Sequence, residues 1–246
     1  MSTRIATWNL NRGKAAWRRD AIMEQMRRVD ADIWIVTETR DAITPGEAYK
    51  SLSRSKRSEE HEEDESWVEI WSRLHAMTTH ATSDPFYSAS ATVNLRSGVP
   101  LTVFGTVLPW SGRSWGGLPS AAATAFKAAL ATQAADWLAF PKAHGGLYCV
   151  AGDFNQDLAD MPYYWSLQAR EALTRTLLEC DLTATTAGNL DPVVQLTGGT
   201  HACIDHICVS HSLALTEPGA ATAWSPQVPR GVLSDHPGVW IDVAAG

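Results

Sequence analysis

Apolar residues recur along the chain with two different spacings. Residues 17–28 repeat at helical spacing, with Ile22, Met26 and Val29 on one face. Residues 120–140 do so again, with Phe126, Leu130, Ala134, Trp137 and Leu138 as the stripe to be buried. A third helix is predicted over 164–180, with Leu173 and Leu177 facing inward. Strand-like segments lie between them. They are 4–9, the compact run Ile33-Trp34-Ile35-Val36 ending at Glu38, the alternating stretch 66–74, then 91–95 and 101–108 split at Gly98-Val99-Pro100. Further strands are predicted at 146–151, 203–210 and 239–243, and 109–119 reads as a loop rich in Gly and Trp. Strands often follow strands directly, which argues against a purely parallel sheet. The pattern predicts an α+β chain of mixed sheets with helices outside. No internal repeat or dividing linker appears, so residues 1–246 read as a single domain.

Composition supports a substantial core: 45% of the 246 residues are hydrophobic and 19% charged. The net charge of −7 is uneven, because Glu59, Glu60, Glu62, Glu63, Asp64 and Glu65 form one run and the rest of the chain sums to −1. Residues 54–65 lack helical periodicity and read as an exposed charged loop, open to disorder and without a catalytic role. A near-neutral body argues against tight, sequence-blind grip on long duplex DNA, which needs a basic face. It leaves room for a nuclease whose bound metal supplies local positive charge. Cys149, Cys180, Cys203 and Cys208 match no zinc-site spacing and read as small core residues in a reducing compartment. No stretch has the length and apolarity of a membrane span, and the N-terminus lacks the apolar stretch of a signal peptide. The expectation is a cytoplasmic protein with no membrane contact and no obligate protein partner.

Chemistry concentrates at strand ends. The segments are Trp8-Asn9-Leu10-Asn11, Thr37-Glu38-Thr39, Gly152-Asp153-Phe154-Asn155, Ile204-Asp205-His206-Ile207 and Ser234-Asp235-His236-Pro237. Taken singly, Asn, Gly-Asp and Ser-Asp are ordinary turn residues. Glu38 differs, because it ends a buried apolar run where a carboxylate needs a partner or a metal. Together the segments supply what hydrolysis of a phosphate ester needs. Glu38, Asn9 and Asp235 are suitable ligands for hard magnesium. Asp153 and His236 can act as base and charged donor, with Asp205 orienting the histidine.

This ordered set resembles the endonuclease/exonuclease/phosphatase superfamily, which includes deoxyribonucleases, abasic-site endonucleases, deadenylases, sphingomyelinases and inositol-phosphate phosphatases. Ile70-Trp71-Ser72-Arg73 adds to it, and the motifs span nearly the whole chain in the family's order. The resemblance implies a deoxyribonuclease-like, four-layer sandwich of two facing mixed β-sheets with helices outside. It implies Mg2+ as cofactor, with Mn2+ as substitute, and a phosphate-ester substrate such as nucleic acid or a nucleotide. Residue by residue, Glu38 and Asn9 match the metal site, with Asp235 on the metal side. Asp153 matches the group that activates water, and Asn155 the amide that helps hold it. His236 matches the histidine on the scissile phosphate, and Asp205 its carboxylate partner.

Two departures stand out. Many members carry an acid at the position of Asn11, which is assigned here to substrate contact. Many also end the strand corresponding to 103–108 with a His or Tyr that donates to the phosphate. The sequence here runs on to Pro109-Trp110, and Arg113 in the next loop reads either as that donor or as a solvated loop arginine. Trp110, Trp115, Tyr163, Tyr164 and Trp165 fall in loops that rim the active face in this fold. Of these, Trp110 and Tyr164 are the candidates for substrate contact by stacking on bases, against the alternative that these aromatics simply pack the loops onto the sandwich. The favoured reading is a metal-dependent nuclease or nucleotide phosphodiesterase. The alternatives are a lipid or inositol-phosphate phosphatase of the same fold, or an inactive binding module.

Overall fold

The computed structural model describes residues 2–110, 112–119, 121–144, 146–160, 164, 166–215 and 221–244. Its strands are β1 (Thr3–Asn9), β2 (Ile33–Arg40), β3 (Lys50–Arg54), β4 (Glu65–Ser72), β5 (Ala76–His80), β6 (Ser88–Asn94), β7 (Pro100–Val107), β8 (Leu147–Asp153), β9 (Leu182–Ala184), β10 (Asp205–Ser210), β11 (Ala214–Leu215), β12 (Thr222–Trp224), β13 (Gln227–Val228), β14 (Gly231–Val232) and β15 (Gly238–Ala244). The α-helices are α1 (Ala16–Val29), α2 (Thr124–His144), α3 (Leu167–Glu179) and the short α4 (Pro192–Thr197).

The strands build two large sheets. One has seven strands in the order β11-β15-β1-β2-β4-β3, with β12 also on β15. The other has six, in the order β5-β6-β7-β8-β10-β9. Each is mixed for the same reason: one parallel pair at its centre, β1 with β2 and β7 with β8, among antiparallel neighbours.

The period of two in the strands sorts side chains into layers. Ile5, Ile33, Ile35 and Ile70 from the first sheet meet Val103, Cys149, Ala151 and Ile207 from the second in the central core. Gly105 lets the sheets approach closely there, since a Cβ on it would lie 2.5 Å from Val68 Cγ1. The intervening residues Ala6, Trp8, Trp34 and Val36 face outward and pack on Ile22, Met26 and Val29 of α1. Phe104, Tyr148, Val150 and Cys208 do the same for α2 and α3, through Phe126, Leu130, Trp137, Leu173 and Leu177. The result is a four-layer sandwich, helix on sheet on sheet on helices. All four cysteines are free and buried in it.

One helix start and one loop refine the pattern read from the sequence. The third helix starts at Leu167 rather than 164, because Ser166 caps it: its hydroxyl accepts from the Ala169 N–H at 3.1 Å. Residues 55–64 carry no regular structure, as a loop does, but their far end is fixed. Arg40 receives it with Nη2 at 2.5 Å from Glu65 Oε1 and 2.9 Å from Glu62 Oε2, and with Nη1 3.2 Å from Asp64. Among the described residues, no helix is long and apolar enough to cross a membrane.

Candidate active site

The site grows out of the central core. Side chains at i and i+2 of a strand share a face. Asn9 therefore follows Ile5 and Thr7, Asp153 follows Cys149 and Ala151, and Asp205 precedes Ile207, each extending the inward row to the end of its strand. Asp153 and Asp205 are direct cross-strand partners. Gly152 before them is obligatory: its φ is +142°, and a Cβ there would sit 2.1 Å from the Thr106 carbonyl oxygen.

Asn9 is buried and fully engaged. Its amide NH2 donates to Glu38 Oε1 at 3.1 Å and to Asp153 Oδ2 at 3.0 Å, while its Oδ1 accepts from the Asn11 N–H at 2.9 Å. In this orientation it clamps two carboxylates together. Glu38 has a left-handed φ of +47° in the middle of β2. A non-glycine residue there costs about 1–3 kcal/mol, and such strain gathers at functional sites. Strict alternation would send Glu38 outward with Trp34 and Val36; the strained residue brings its carboxylate to Asn9 instead.

The turn 234–236 is tied to the end of β1. Ser234 Oγ donates to the Asn9 carbonyl at 2.6 Å, Trp8 Nε1 donates to the His236 carbonyl at 2.9 Å, and the His236 N–H donates to Ser234 Oγ at 3.1 Å. His236 Nδ1 then lies 2.6 Å from Asp205 Oδ2.

These placements set the protonation states. Burial opposes a charge on His236, but Asp205 and Asp153 outweigh it and push the imidazole up to about 10, so the ring is a cation. Burial, reinforced by Asp205, raises Asp153 to about 7, with His236 pulling the other way. Burial also raises Glu38, against the hydrogen bond from Asn9. Asn155 steadies Asp153: its N–H donates to Asp153 Oδ1 at 3.0 Å and its side-chain amide to the Leu108 carbonyl at 3.0 Å.

The groups converge on a polar cleft of about 430 Å³, lined by Asn11, Arg12, Lys14, Glu38, Trp67, Trp110, Asp153, Asn155, Tyr164, Asp235 and His236. The sequence profile of the Endonuclease/Exonuclease/phosphatase family matches residues 6–236, from within β1 to the histidine of the cleft. The chain belongs to this family.

It is therefore a phosphate-ester hydrolase by family, and its fold agrees. An AP endonuclease from Archaeoglobus fulgidus superposes with a TM-score of 0.67 at 13% identity, covering 97% of this chain and 98% of that one. TDP2 of D. rerio, complexed with a single-strand DNA product, gives 0.68 at 13% identity, covering 99% of each chain. A mannosyl-6-phosphatase from Bacteroides thetaiotaomicron gives 0.65 at 15% identity, covering 99% of this chain and all of that one. A search of curated protein sequences finds no match.

Within this family member the structure brings together Asn9, Asn11, Glu38, Asp153, Asn155, Asp205, Asp235 and His236. Asn11 Nδ2 donates to Asp235 Oδ1 at 2.8 Å, linking the turn after β1 to the 234–236 turn. Trp110 and Tyr164 stand on the walls. Arg113 does not line the cleft. It pairs with Glu60, donates to the Tyr87 hydroxyl at 3.1 Å and stacks 5.0 Å from the Trp110 ring centroid, so it braces the wall from behind. Trp115 packs toward the α2–α3 side, and Tyr163 and Trp165 lie outside the described residues.

Arg12, Lys14 and Trp67 are cleft residues that motif reasoning passes over. The sequence held one signal for Arg12, a cation directly after Asn11 and before a glycine, but nothing in it showed which way the side chain turns.

Proposed function

We propose that the protein is a magnesium-dependent phosphodiesterase acting on nucleic acid or nucleotides, with manganese as a substitute and a preference for unpaired bases. One observation supports this above the rest. Two carboxylates, the half-buried Glu38 and the buried Asp153, share a single amide clamp, while a histidine cation held by Asp205 faces the same cleft.

The donor set fits a hard divalent cation. Glu38 and Asp235 offer carboxylate oxygens at the open side of the cleft, and the burial that raises Glu38 is relieved when a cation sits beside it. When bound, the metal would neutralise phosphoryl oxygens and so favour attack at phosphorus. Glu38 and Asp235 would hold it, and Asn9 sets the angle between Glu38 and Asp153.

Asp153 takes the proton of the attacking water. Its buried setting makes it a stronger base than an exposed aspartate, and Asn155 fixes its direction. With Nδ1 bound to Asp205, His236 donates from Nε2 to a phosphoryl oxygen as charge develops in the transition state. Trp110 and Tyr164 line the cleft with Asp153 and His236, and stacking on aromatic side chains contributes about 1–3 kcal/mol per base.

A substrate panel with magnesium tests this reading. It should span single- and double-stranded DNA, RNA, nucleotides, and lipid and sugar phosphates. Turnover should be highest on unpaired ends or short oligonucleotides, vanish on chelation and return with magnesium or manganese. Turnover confined to sugar or lipid monoesters, or surviving exhaustive chelation, would overturn it.

A further inference from the structure

Arg12 has capacity that the reaction outlined above does not use. It sits in a strained turn: Asn11, Arg12 and Gly13 all have left-handed φ, at +43°, +58° and +45°. A side chain at Gly13 would be strained by that φ and would need Ile43 to move, since its Cβ would lie 2.6 Å from Ile43 Cδ1. The turn throws the Arg12 side chain into the cleft, with its guanidinium carbon 5.6 Å from the Trp67 ring centroid. Only a quarter of that side chain is exposed.

Its ionic partners are loose. Nε lies 3.7 Å from Glu38 Oε2, and Nη1 lies 3.4 Å from Glu65 Oε2. Glu65 is already bound at 2.5 Å by Arg40. Among the described residues, the Arg12 guanidinium donates no hydrogen bond. A largely desolvated fork of five donors, pre-aimed and unspent, faces a cleft built for phosphate esters. Lys14 lines the same side. Glu38 stands between Arg12 and the Asn9–Asp153 pair, so the cation is a neighbour of the reaction centre and not a participant in it.

We infer that Arg12, assisted by Lys14, forms an anion subsite that reads a second phosphate on the substrate, next to the one being hydrolysed. This rests on the phosphodiesterase reading and makes it narrower. The preferred substrates carry a terminal phosphate or a further phosphodiester within reach of the cleft's Arg12 side. Bidentate pairing of guanidinium with phosphate supplies the recognition.

The experiment has two arms. In the first, magnesium-dependent turnover is measured on a dinucleotide, its 5′-phosphorylated form and a trinucleotide. The wild type should favour the phosphate-bearing pair by roughly tenfold or more in kcat/KM, the size expected for a charge-assisted hydrogen bond. The two extended substrates separate a terminal phosphate from an internal diester. Arg12→Ala should bring the ratio to about one, with Arg12→Lys between, because it keeps the charge and loses the fork. Equal fractional losses on all three substrates would show that Arg12 is merely structural and sink the inference.

The second arm reads binding without turnover, as the affinity of magnesium pyrophosphate for the Asp153→Asn protein with and without Arg12→Ala. Weakening of about tenfold supports the subsite. Equal affinities, or no binding, refute it even if nucleotides are turned over. If the dinucleotides are not hydrolysed but pyrophosphate binding depends on Arg12, the phosphodiesterase reading falls and the anion subsite stands.

Discussion

At the scale of single residues, Asp153 and His236 carry the proposed chemistry while contributing little to the packing of the sandwich. Asp153→Asn and His236→Ala should each lower turnover by roughly two to four orders of magnitude, the range for acid–base groups. Melting temperature should shift little. Near-normal turnover by either variant on the true substrate would show the roles to be misassigned. Asp205→Asn should resemble loss of His236 in weaker form, because the ring keeps a neighbour at Nδ1 but loses its counter-charge.

His206 makes a separate point two strands of reasoning away from catalysis. It is fully buried on the outer face of its sheet, with Nδ1 2.7 Å from Thr186 Oγ1 and Nε2–H donating to the Gln156 carbonyl at 2.9 Å. Burial holds its pKa below the usual histidine value despite the bond to Gln156. The unfolded chain therefore takes up this proton before the folded one does, and the stability tied to neutral His206 is lost as pH falls below the unfolded value of about 6.5. Between pH 7 and 5 the melting temperature of the wild type should fall relative to that of His206→Gln, whose amide takes up no proton in that range. Parallel pH profiles for the two proteins would refute this.

Single residues also mark how far the sequence could be read. Asn9, Glu38, Asp153, Asp205 and His236 were legible because each lies at or beside an end of an apolar strand, and a polar group there must answer to chemistry or to a turn. Arg12 and Arg113 were not. Which of the two lines the cleft depends on left-handed backbone at 11–13 and on Glu60, 53 residues away from Arg113. Periodicity carries neither fact.

At the scale of elements, β2 and β8 carry Glu38 and Asp153 to the cleft. Glu38→Gln should raise the magnesium concentration needed for half-maximal turnover. It should also raise the melting temperature of the metal-free protein, since it removes a half-buried carboxylate whose ionisation burial opposes. A lower metal-free melting temperature would mean that the carboxylate is already paid for by Asn9 and Arg12. The β7–β8 pair is equally exacting. Gly152→Ala should cost about 2 kcal/mol or more, because the Cβ meets backbone rather than a side chain that can swing away.

The predicted elements that held were the ones with a buried face. The strands β3 and β5 were missed because both present mostly polar, exposed side chains, KSLSR and AMTTH, in which no alternation shows. The charged segment 55–64 reads as a free loop for a related reason. Its anchor is one buried arginine, Arg40, at the end of β2, and three acids converge on it from 22 to 25 residues away.

At the scale of the whole molecule, the near-neutral body limits contact with a long polyanion. Binding to duplex DNA should show a shallow salt dependence, about two or fewer phosphates' worth at about 0.9 each in log affinity against log salt. Trp110→Ala should weaken capture of an oligonucleotide more than that of a phosphodiester lacking a base. Equal losses would remove stacking from the account, and preferred cleavage inside long duplex with a steep salt slope would overturn the substrate reading.

The tie between the first strand and the last also has a consequence in time. Asn9 and His236 are 227 positions apart, yet β1 is completed on one side by β15, with Thr3 opposite Val243. During synthesis β1 can pair with β2 early but gains its other neighbour only once residues 238–244 have emerged. The cleft lacks its histidine, and the Asn9 carbonyl lacks its Ser234 partner, until residues 234–236 have emerged from the ribosome. A nascent chain therefore lacks the proposed catalytic histidine while β1 and β2 are already free to pair, and the cleft is complete only once β15 docks against β1.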